Sequence, residues 1–389
     1  MELSSRVKNV SSSLTLAITA RAKKMKANGV DVIGFGSGEP DFDTPQYIKE
    51  AAIKAIRENF TRYTPASGTD ELKEIICKKF SRENNLSYNP SNIVVSCGAK
   101  HSIYNIIQAI CNKGDEVIIL SPYWLSYPEM VMLAEARPVF IETGENDSFK
   151  VPLDSLKKSI TKKTKLLILN SPSNPTGCVY NAGELKQIGE IASERNILVI
   201  SDEIYEKIIF DGEAHVSVAS MGEKIFKNTV VVNGVSKSFA MTGWRIGYLA
   251  SPCDDLVNAV KNLQSHSTSN PASISQAAAA EAIKTSGDSA MLNMVREFEK
   301  RRDYIVDRVN GIKGLSCTKP QGAFYIFARI TKKGLSSMEA AERLLDEANV
   351  AVVPGKVFGS DKHIRLSFAT NIENIRKGMD RIEKWFAEV

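Results

Sequence analysis

Apolar residues in this chain come in short, dense bursts separated by longer amphipathic stretches. Six bursts, at Ile93–Cys97, Glu116–Leu120, Pro138–Ile141, Lys165–Leu169, Ile197–Ser201 and Val230–Val232, are β-branched and apolar through their centres, without polar alternation. A strand that is apolar on both faces belongs inside a sheet covered on both sides, the habit of parallel sheets. Between the bursts the period lengthens. Leu72, Ile75, Ile76 and Phe80 share one helical face, as do Ile103, Ile106, Ile107 and Ile110, and Leu185, Ile188 and Ile191. Core packing accounts for all three stripes. Thr44-Pro45 reads as an N-cap followed by a proline in the first helical turn.

The last third changes character. From Ser289 to Asn310, the residues Met291, Val295, Phe298, Ile305 and Val309 keep helical spacing without a breaker, a length suited to bridging two domains. GAFYIFARI, a helical stretch over Ser337–Ala348, VAVVPGKVFG and HIRLSFA follow. The expected organisation is α/β. A large domain over residues 44–288 carries a mainly parallel sheet sandwiched by helices. A smaller α+β domain combines residues 1–43 and 289–389.

Composition narrows the function. At 389 residues and 43% hydrophobic, the chain can bury two cores, and its charges are spread rather than blocked. The net charge of +5 is modest, and no Lys/Arg block is interleaved with aromatics, so nucleic acid is not an expected partner. No stretch is long enough to cross a bilayer, and MELSSRVKNVSSSLTL lacks the apolar core of a signal peptide, so a soluble cytoplasmic protein is expected. The six cysteines form no C-x-x-C pair, as suits free thiols in a reducing compartment. His101, His215, His266 and His363 show no metal-ligand spacing, so no metal is expected.

Candidate chemistry sits where strands end, which is where open α/β sheets bind their ligands. VVSCGAKHS passes through Gly98-Ala99-Lys100 into a helix, whose free N–H groups and dipole suit a phosphate. KLLILNSPSNPTG ends in a turn carrying Asn174. ILVISDEIYE ends in Asp202, with Tyr205 close behind. VVVNGVSKS ends in Ser236-Lys237. Each has a plainer reading: turn chemistry for Asn174, a helix cap for Asp202, core packing for Tyr205, strand termination for Gly98. Together they offer one crevice a phosphate cradle, an amide, an acid, a phenol and an amine. Pyridoxal phosphate needs that set: a lysine for its aldehyde, an anion site for its phosphate, a carboxylate for its ring nitrogen and donors for its phenolic oxygen. Gly34, Gly36 and Gly38 imitate a dinucleotide loop, but Glu39-Pro40-Asp41 follows instead of a helix, and that reading fails.

GVSKSFAMTGWRIG resembles the lysine-attachment signature of the class I aminotransferases. GSGEPDFDTP, RYTPASGTDELKE, SPYWLSYPE, NSPSNPTG, SDEIYE, AVVPGKVFG and IRLSFAT resemble other landmarks of that family in the same order, so the likeness spans essentially the whole chain. It is greatest to the bacterial aspartate aminotransferase subgroup. The resemblance implies the type I pyridoxal-phosphate fold and a homodimer, with roles carried over by position. Lys237 matches the lysine that forms a Schiff base with the cofactor and moves protons. Asp202 matches the partner of the ring nitrogen, Asn174 and Tyr205 the donors to the ring oxygen, and Trp124 the stacking aromatic. Gly98, Ala99, Ser236 and Arg245 match the phosphate cup, and Tyr63 a tyrosine reaching the neighbouring subunit's phosphate. Arg365 matches the clamp on the substrate α-carboxylate, Gly38 a backbone contact to it, and Lys100 a lysine near the phosphate that also meets the distal carboxylate of acidic substrates. One departure is Gly234, where some relatives have a serine, so one phosphate hydrogen bond is expected to be missing or replaced by water.

The implied activity is ping-pong transfer of an amino group from L-aspartate to 2-oxoglutarate. Broader, aromatic or prephenate specificity stays open. For prephenate, the stretch NVSSSLT offers no lysine of its own, Lys8 being the nearest. A carbon–sulfur lyase on the same scaffold is a rival. A transcription regulator is another, though the residues ahead of GSGEPDF are too few for a helix-turn-helix domain.

Overall fold

A computed structural model describes residues 2–8, 10, 14–285 and 287–389. Every expected strand is present, with ends within two residues of the apolar bursts. They form a sheet whose spatial order is Ile93–Ser96, Gly247–Ala250, Thr229–Gly234, Leu198–Asp202, Thr164–Asn170, Glu116–Ser121 and Arg137–Glu142. The strand Gly247–Ala250 has no apolar burst to announce it, and it runs antiparallel to both neighbours. The remaining pairings are parallel.

The continuous apolar runs follow from burial on both faces. Val94, Val230 and Val232 point into one core with Ile103, Ile106 and Ile107 of the helix Ala99–Ile110. Their neighbours Val95 and Val231 point the other way, against Leu72, Ile76 and Phe80 of Asp70–Asn84. Further along that second face, Leu167, Leu169 and Val199 pack on Leu185, Ile188 and Ile191 of Ala182–Glu194. Alternation is present, but it divides one apolar environment from another.

The helix Ser289–Gly311 starts where Asp288 accepts a 2.9 Å bond from the Met291 N–H. Beyond it, Leu315–Ser316, Tyr325–Ile330, Val353–Pro354 and His363–Ser367 make a four-stranded antiparallel sheet. Ile33–Gly34 pairs in parallel with Val350–Ala351, bringing the N-terminal segment to the later part of the chain. The helix Ser337–Ala348 has the predicted limits, capped by Ser336.

Thr44 corrects the sequence reading. The helix is Gln46–Arg57, its N-cap is Pro45, and no side chain caps it. The Thr44 hydroxyl is used elsewhere: it donates to the Ala240 carbonyl at 2.7 Å and accepts from the Trp244 indole at 3.1 Å. It thereby ties the helix entry to the segment following Lys237. In NVSSSLT, residues 9 and 11–13 lie outside the described residues.

Candidate active site

A cavity of about 730 Å³ opens at the carboxyl ends of the central strands. Its wall brings together Gly38, Ala99, Lys100, Trp124, Asn174, Asp202, Tyr205, Ser236, Lys237, Arg245 and Arg365. Gly98 lies just behind the wall and Tyr63 lies outside it, 90% exposed.

Asp202 ends its strand fully enclosed. Its Oδ2 accepts from the Tyr127 hydroxyl at 2.6 Å and its Oδ1 from the Ile204 N–H at 3.2 Å. Burial pushes its carboxyl up to about 6, against the pull of those two bonds. Asn170, on the adjacent strand, donates to the Asp202 carbonyl at 2.9 Å and accepts from the Asn174 N–H at 2.9 Å. One asparagine thus sets the positions of both the acid and the turn amide.

Asn174 in turn accepts from Arg365 Nη1 at 2.9 Å, while Arg365 Nη2 donates to the Gly36 carbonyl at 3.2 Å. The guanidinium lies 4.4 Å from the Tyr325 ring centre and 4.9 Å from that of Phe358. Arg365 is buried, and its Nε has no partner among the described residues. An enclosed guanidinium facing a cavity with an unused donor is suited to an anion. Tyr325 also shares a 2.9 Å bond with the Tyr205 hydroxyl, which fixes the phenol beside Asp202.

Lys237 is half-buried and donates to the Gly38 carbonyl. Its amine lies 5.9 Å from the Tyr205 ring centre and 5.8 Å from that of Phe324. Burial brings its pKa down to about 8. Glu39 acts in the opposite direction, while Arg365 and Arg245 lower it further. An amine so placed is much nearer than an ordinary lysine to having a free lone pair at neutral pH.

The anion end is built from backbone and one arginine. Gly98 has φ +92°, and a Cβ there would strike the Arg245 guanidinium. Ala99 then opens the helix that presents its N–H groups to the cavity. Arg245, itself left-handed at φ 57°, is braced by the Thr242 carbonyl at 2.9 Å and the Cys97 carbonyl at 3.2 Å. Gly234 has its own steric reason. A Cβ there would lie 2.9 Å from the Ile246 carbonyl and 3.0 Å from Gly247 Cα, so the added strand leaves no space for serine.

Sequence reasoning missed four contributors. Tyr127 sits inside SPYWLSYPE and Tyr325 inside GAFYIFARI, but nothing in one dimension separates a working hydroxyl from a core aromatic. Asn170 closes an apolar burst with no signal of its own. Glu39, which accepts from Thr242 at 2.7 Å, looked like a loop charge. The histidine reading by spacing also missed a spatial group: one ligand-type atom each from Glu203, Glu206 and His215 lies within 4.8 Å of the others. Lys79 occupies Glu206 at 2.5 Å, so that group is an ion cluster.

A mainly parallel sheet covered on both faces, with a lysine, an acid and a helix N-terminus at its strand ends and a buried arginine of the second sheet facing the same cavity, defines an enzyme of the aminotransferase type. The chain belongs to the family described as aminotransferase class I and II, which it matches over residues 30–382. It is 50% identical over 388 residues to the aspartate aminotransferase of Bacillus sp. (strain YM-2), covering 98% of each chain. It is 44% identical over 394 residues to the aspartate/prephenate aminotransferase of Nitrosomonas europaea, covering 98% of this chain and 99% of that one. Among solved structures, the aspartate aminotransferase from Thermus thermophilus with maleate superposes with a TM-score of 0.95 at 40% identity, covering 99% of each chain.

Proposed function

We propose that the protein is a pyridoxal-phosphate-dependent aminotransferase that takes the amino group of L-aspartate and passes it to 2-oxoglutarate. The observation carrying this reading is the pairing of an amine at about 8 with a buried acid at about 6 in one cavity. The residues fit the cofactor. Ala99, Ser236 and Arg245, with Gly98 behind them, would hold its phosphate. Among the described residues no cation is hydrogen-bonded to Asp202, which suits it to a protonated ring nitrogen. Asn174 and Tyr205 would serve its ring oxygen, and Trp124 would stack on the ring. When bound, pyridoxal phosphate supplies an aldehyde for the incoming amine and a ring that withdraws electrons from the substrate Cα.

The chain's own groups do the rest. Arg365 holds the substrate α-carboxylate with its two terminal nitrogens, a planar fork that lysine does not reproduce. Lys237 takes the α-proton and returns it, as its lowered pKa permits. Asp202, ionised by a cationic neighbour, keeps the ring nitrogen protonated. One site serves both half-reactions, so initial rates follow ping-pong kinetics. The first test is spectroscopic. The purified protein takes up pyridoxal phosphate and turns yellow, and L-aspartate without a 2-oxo acid removes that colour and releases oxaloacetate. Lys237→Ala lowers turnover by at least about 10³-fold. A protein that pyridoxal phosphate cannot colour would sink the cofactor assignment, and one indifferent to aspartate would sink the substrate.

The assembly is a homodimer in this reading. Ile53 at 42%, Ile56 at 51%, Phe60 at 37% and Tyr63 at 90% exposure form an apolar stretch that a second copy would cover. Tyr63 then reaches the partner's phosphate cup. The domain division at 44–288, with 1–43 joined to 289–389, is supported by the pairing of Ile33–Gly34 with Val350–Ala351 and by Arg381, which holds Asp31 at 2.6 Å. Small-angle scattering checks both points: a dimer mass, and a smaller radius of gyration when a dicarboxylate closes the domains. Among the described residues no helix is long and apolar enough to cross a membrane, and all six cysteines are free, which supports a cytoplasmic setting.

A further inference from the structure

The cavity wall carries six cations against two carboxylates, Glu39 and Asp202. Three cations already have work: Lys237 as the amine, Arg245 at the phosphate, Arg365 at the α-carboxylate. Lys23, Lys26 and Lys100 remain.

Lys23 and Lys26 come from the helix Leu14–Ala27, whose inward face is set by Ile18, Ala22 and Lys26 at four-residue intervals. The apolar part of that face anchors the helix: Ala22 packs with Val32, Leu345 and Ala351, and Arg21 pairs with Asp346 at 2.5 Å. Past the anchor, the two lysines stand over the cavity with no hydrogen bond or ion pair among the described residues. Some lysines on other helices are neutralised locally, Lys54, Lys186 and Lys384 by a glutamate four residues on and Lys227 by one four residues before. Opposite, Lys100 lies 4.8 Å from the Trp124 ring centre. Unmatched positive charge on the wall of a cavity favours a ligand with a second negative group.

We propose that Lys23 and Lys26 are specificity-determining residues that, together with Lys100, bind the second carboxylate of a dicarboxylic substrate. The proposal rests on the aminotransferase reading and extends its substrate recognition to the N-terminal helix. It is tested on the holoenzyme with the double variant Lys23→Gln/Lys26→Gln, titrated by calorimetry with maleate and with its monoamide. The dissociation constant for maleate rises about tenfold while that for the monoamide stays unchanged. The kcat/KM for aspartate falls by the same factor through KM, and Lys23→Arg/Lys26→Arg restores both. Unchanged maleate binding, or equal losses for the two ligands, overturns the proposal. The two readings separate cleanly. Lysine-dependent maleate binding in an enzyme inert to aspartate keeps the anion site and removes the aspartate activity. Equal aspartate turnover in wild type and double variant does the reverse.

Discussion

Asp202 and Glu206 are four residues apart, and both are buried, yet their surroundings drive them in opposite directions. Around Glu206, burial alone would raise the carboxyl, but Lys79 and Lys207 overcome it and hold the group at about 2. Lys79 meets it at 2.5 Å and also bonds Asn84 at 2.8 Å, while Lys207 turns to Glu83 at 2.7 Å. Among the described residues the Asp202 carboxyl receives a phenol and a backbone N–H and no cation, and burial raises it to about 6. The first region is electrostatically complete within the chain. The second holds an acid whose natural partner is a cation that the protein itself does not place in contact with it. Burial together with an incomplete charge set is what distinguishes a site from scaffold.

The largest expected effect tests the complete region. Glu206→Gln leaves the Lys79 ammonium buried without its counter-charge and costs about 3–5 kcal/mol of stability, measured by chemical denaturation at pH 7. Asp202→Asn in the cofactor-free protein costs nothing at that pH and raises stability, because the carboxylate it removes is ionised at a disadvantage. Its damage is catalytic, a fall in kcat of about 10²–10³-fold. If Asp202→Asn destabilises the protein as much as Glu206→Gln, the two acids are both structural and the contrast fails.

Acidity separates the two regions next. The Asp202 pKa is raised on folding, so the folded state gains protons relative to the unfolded chain. Its contribution favours folding below about pH 4 and is lost as pH rises through 6, a change of about 3 kcal/mol. The Glu206 pKa is lowered, so its contribution is present above about 4.5 and is lost as pH falls toward 2. The two contributions run in opposite directions, that of Asp202 being lost as pH rises from 4 to 6 and that of Glu206 as pH falls below 4.5, while His363, lowered to about 4 by burial, gains stability across the Asp202 window. Each is therefore read as a difference: the stability of wild type relative to Asp202→Asn falls between pH 4 and 6, and that relative to Glu206→Gln falls below 4.5. A difference from Asp202→Asn that stays constant between pH 4 and 6 would show that Asp202 is already paired.

What the sequence made legible follows the same line. Strands such as Thr164–Asn170 were readable because burial on both faces leaves an unbroken apolar run. Gly247–Ala250 was not, because a four-residue strand selected for close backbone approach to Gly234 and Ala99 has no side-chain pattern to read. Lys237, Asp202 and Asn174 were legible through their places at strand ends and through family landmarks. Lys79 and Glu206 were not: a buried ion pair joined across 127 positions looks, in one dimension, like two ordinary surface charges. Tyr127 and Tyr325 were hidden for a related reason, since a buried aromatic and a buried aromatic with a working hydroxyl share one letter.

Tyr127 offers the finest cut between the regions. Its hydroxyl gives Asp202 the shorter of its two bonds, at 2.6 Å, and it is the leading influence holding that carboxyl down against burial. Tyr127→Phe keeps the ring that packs edge-on against Trp124 at 5.3 Å and removes only the donor. The fold should lose about 1–2 kcal/mol above pH 6, where the carboxylate is ionised, and almost nothing at pH 4, where it is protonated. The pH through which the Asp202 contribution is lost moves upward accordingly. In the holoenzyme the effect shrinks, because a cation against Asp202 supplies most of what the phenol supplied, and kcat falls by less than about tenfold. Equal destabilisation at pH 4 and pH 7 would mean that the tyrosine acts by packing, and Asp202 would then owe its position to the Ile204 N–H and the Asn170 amide alone.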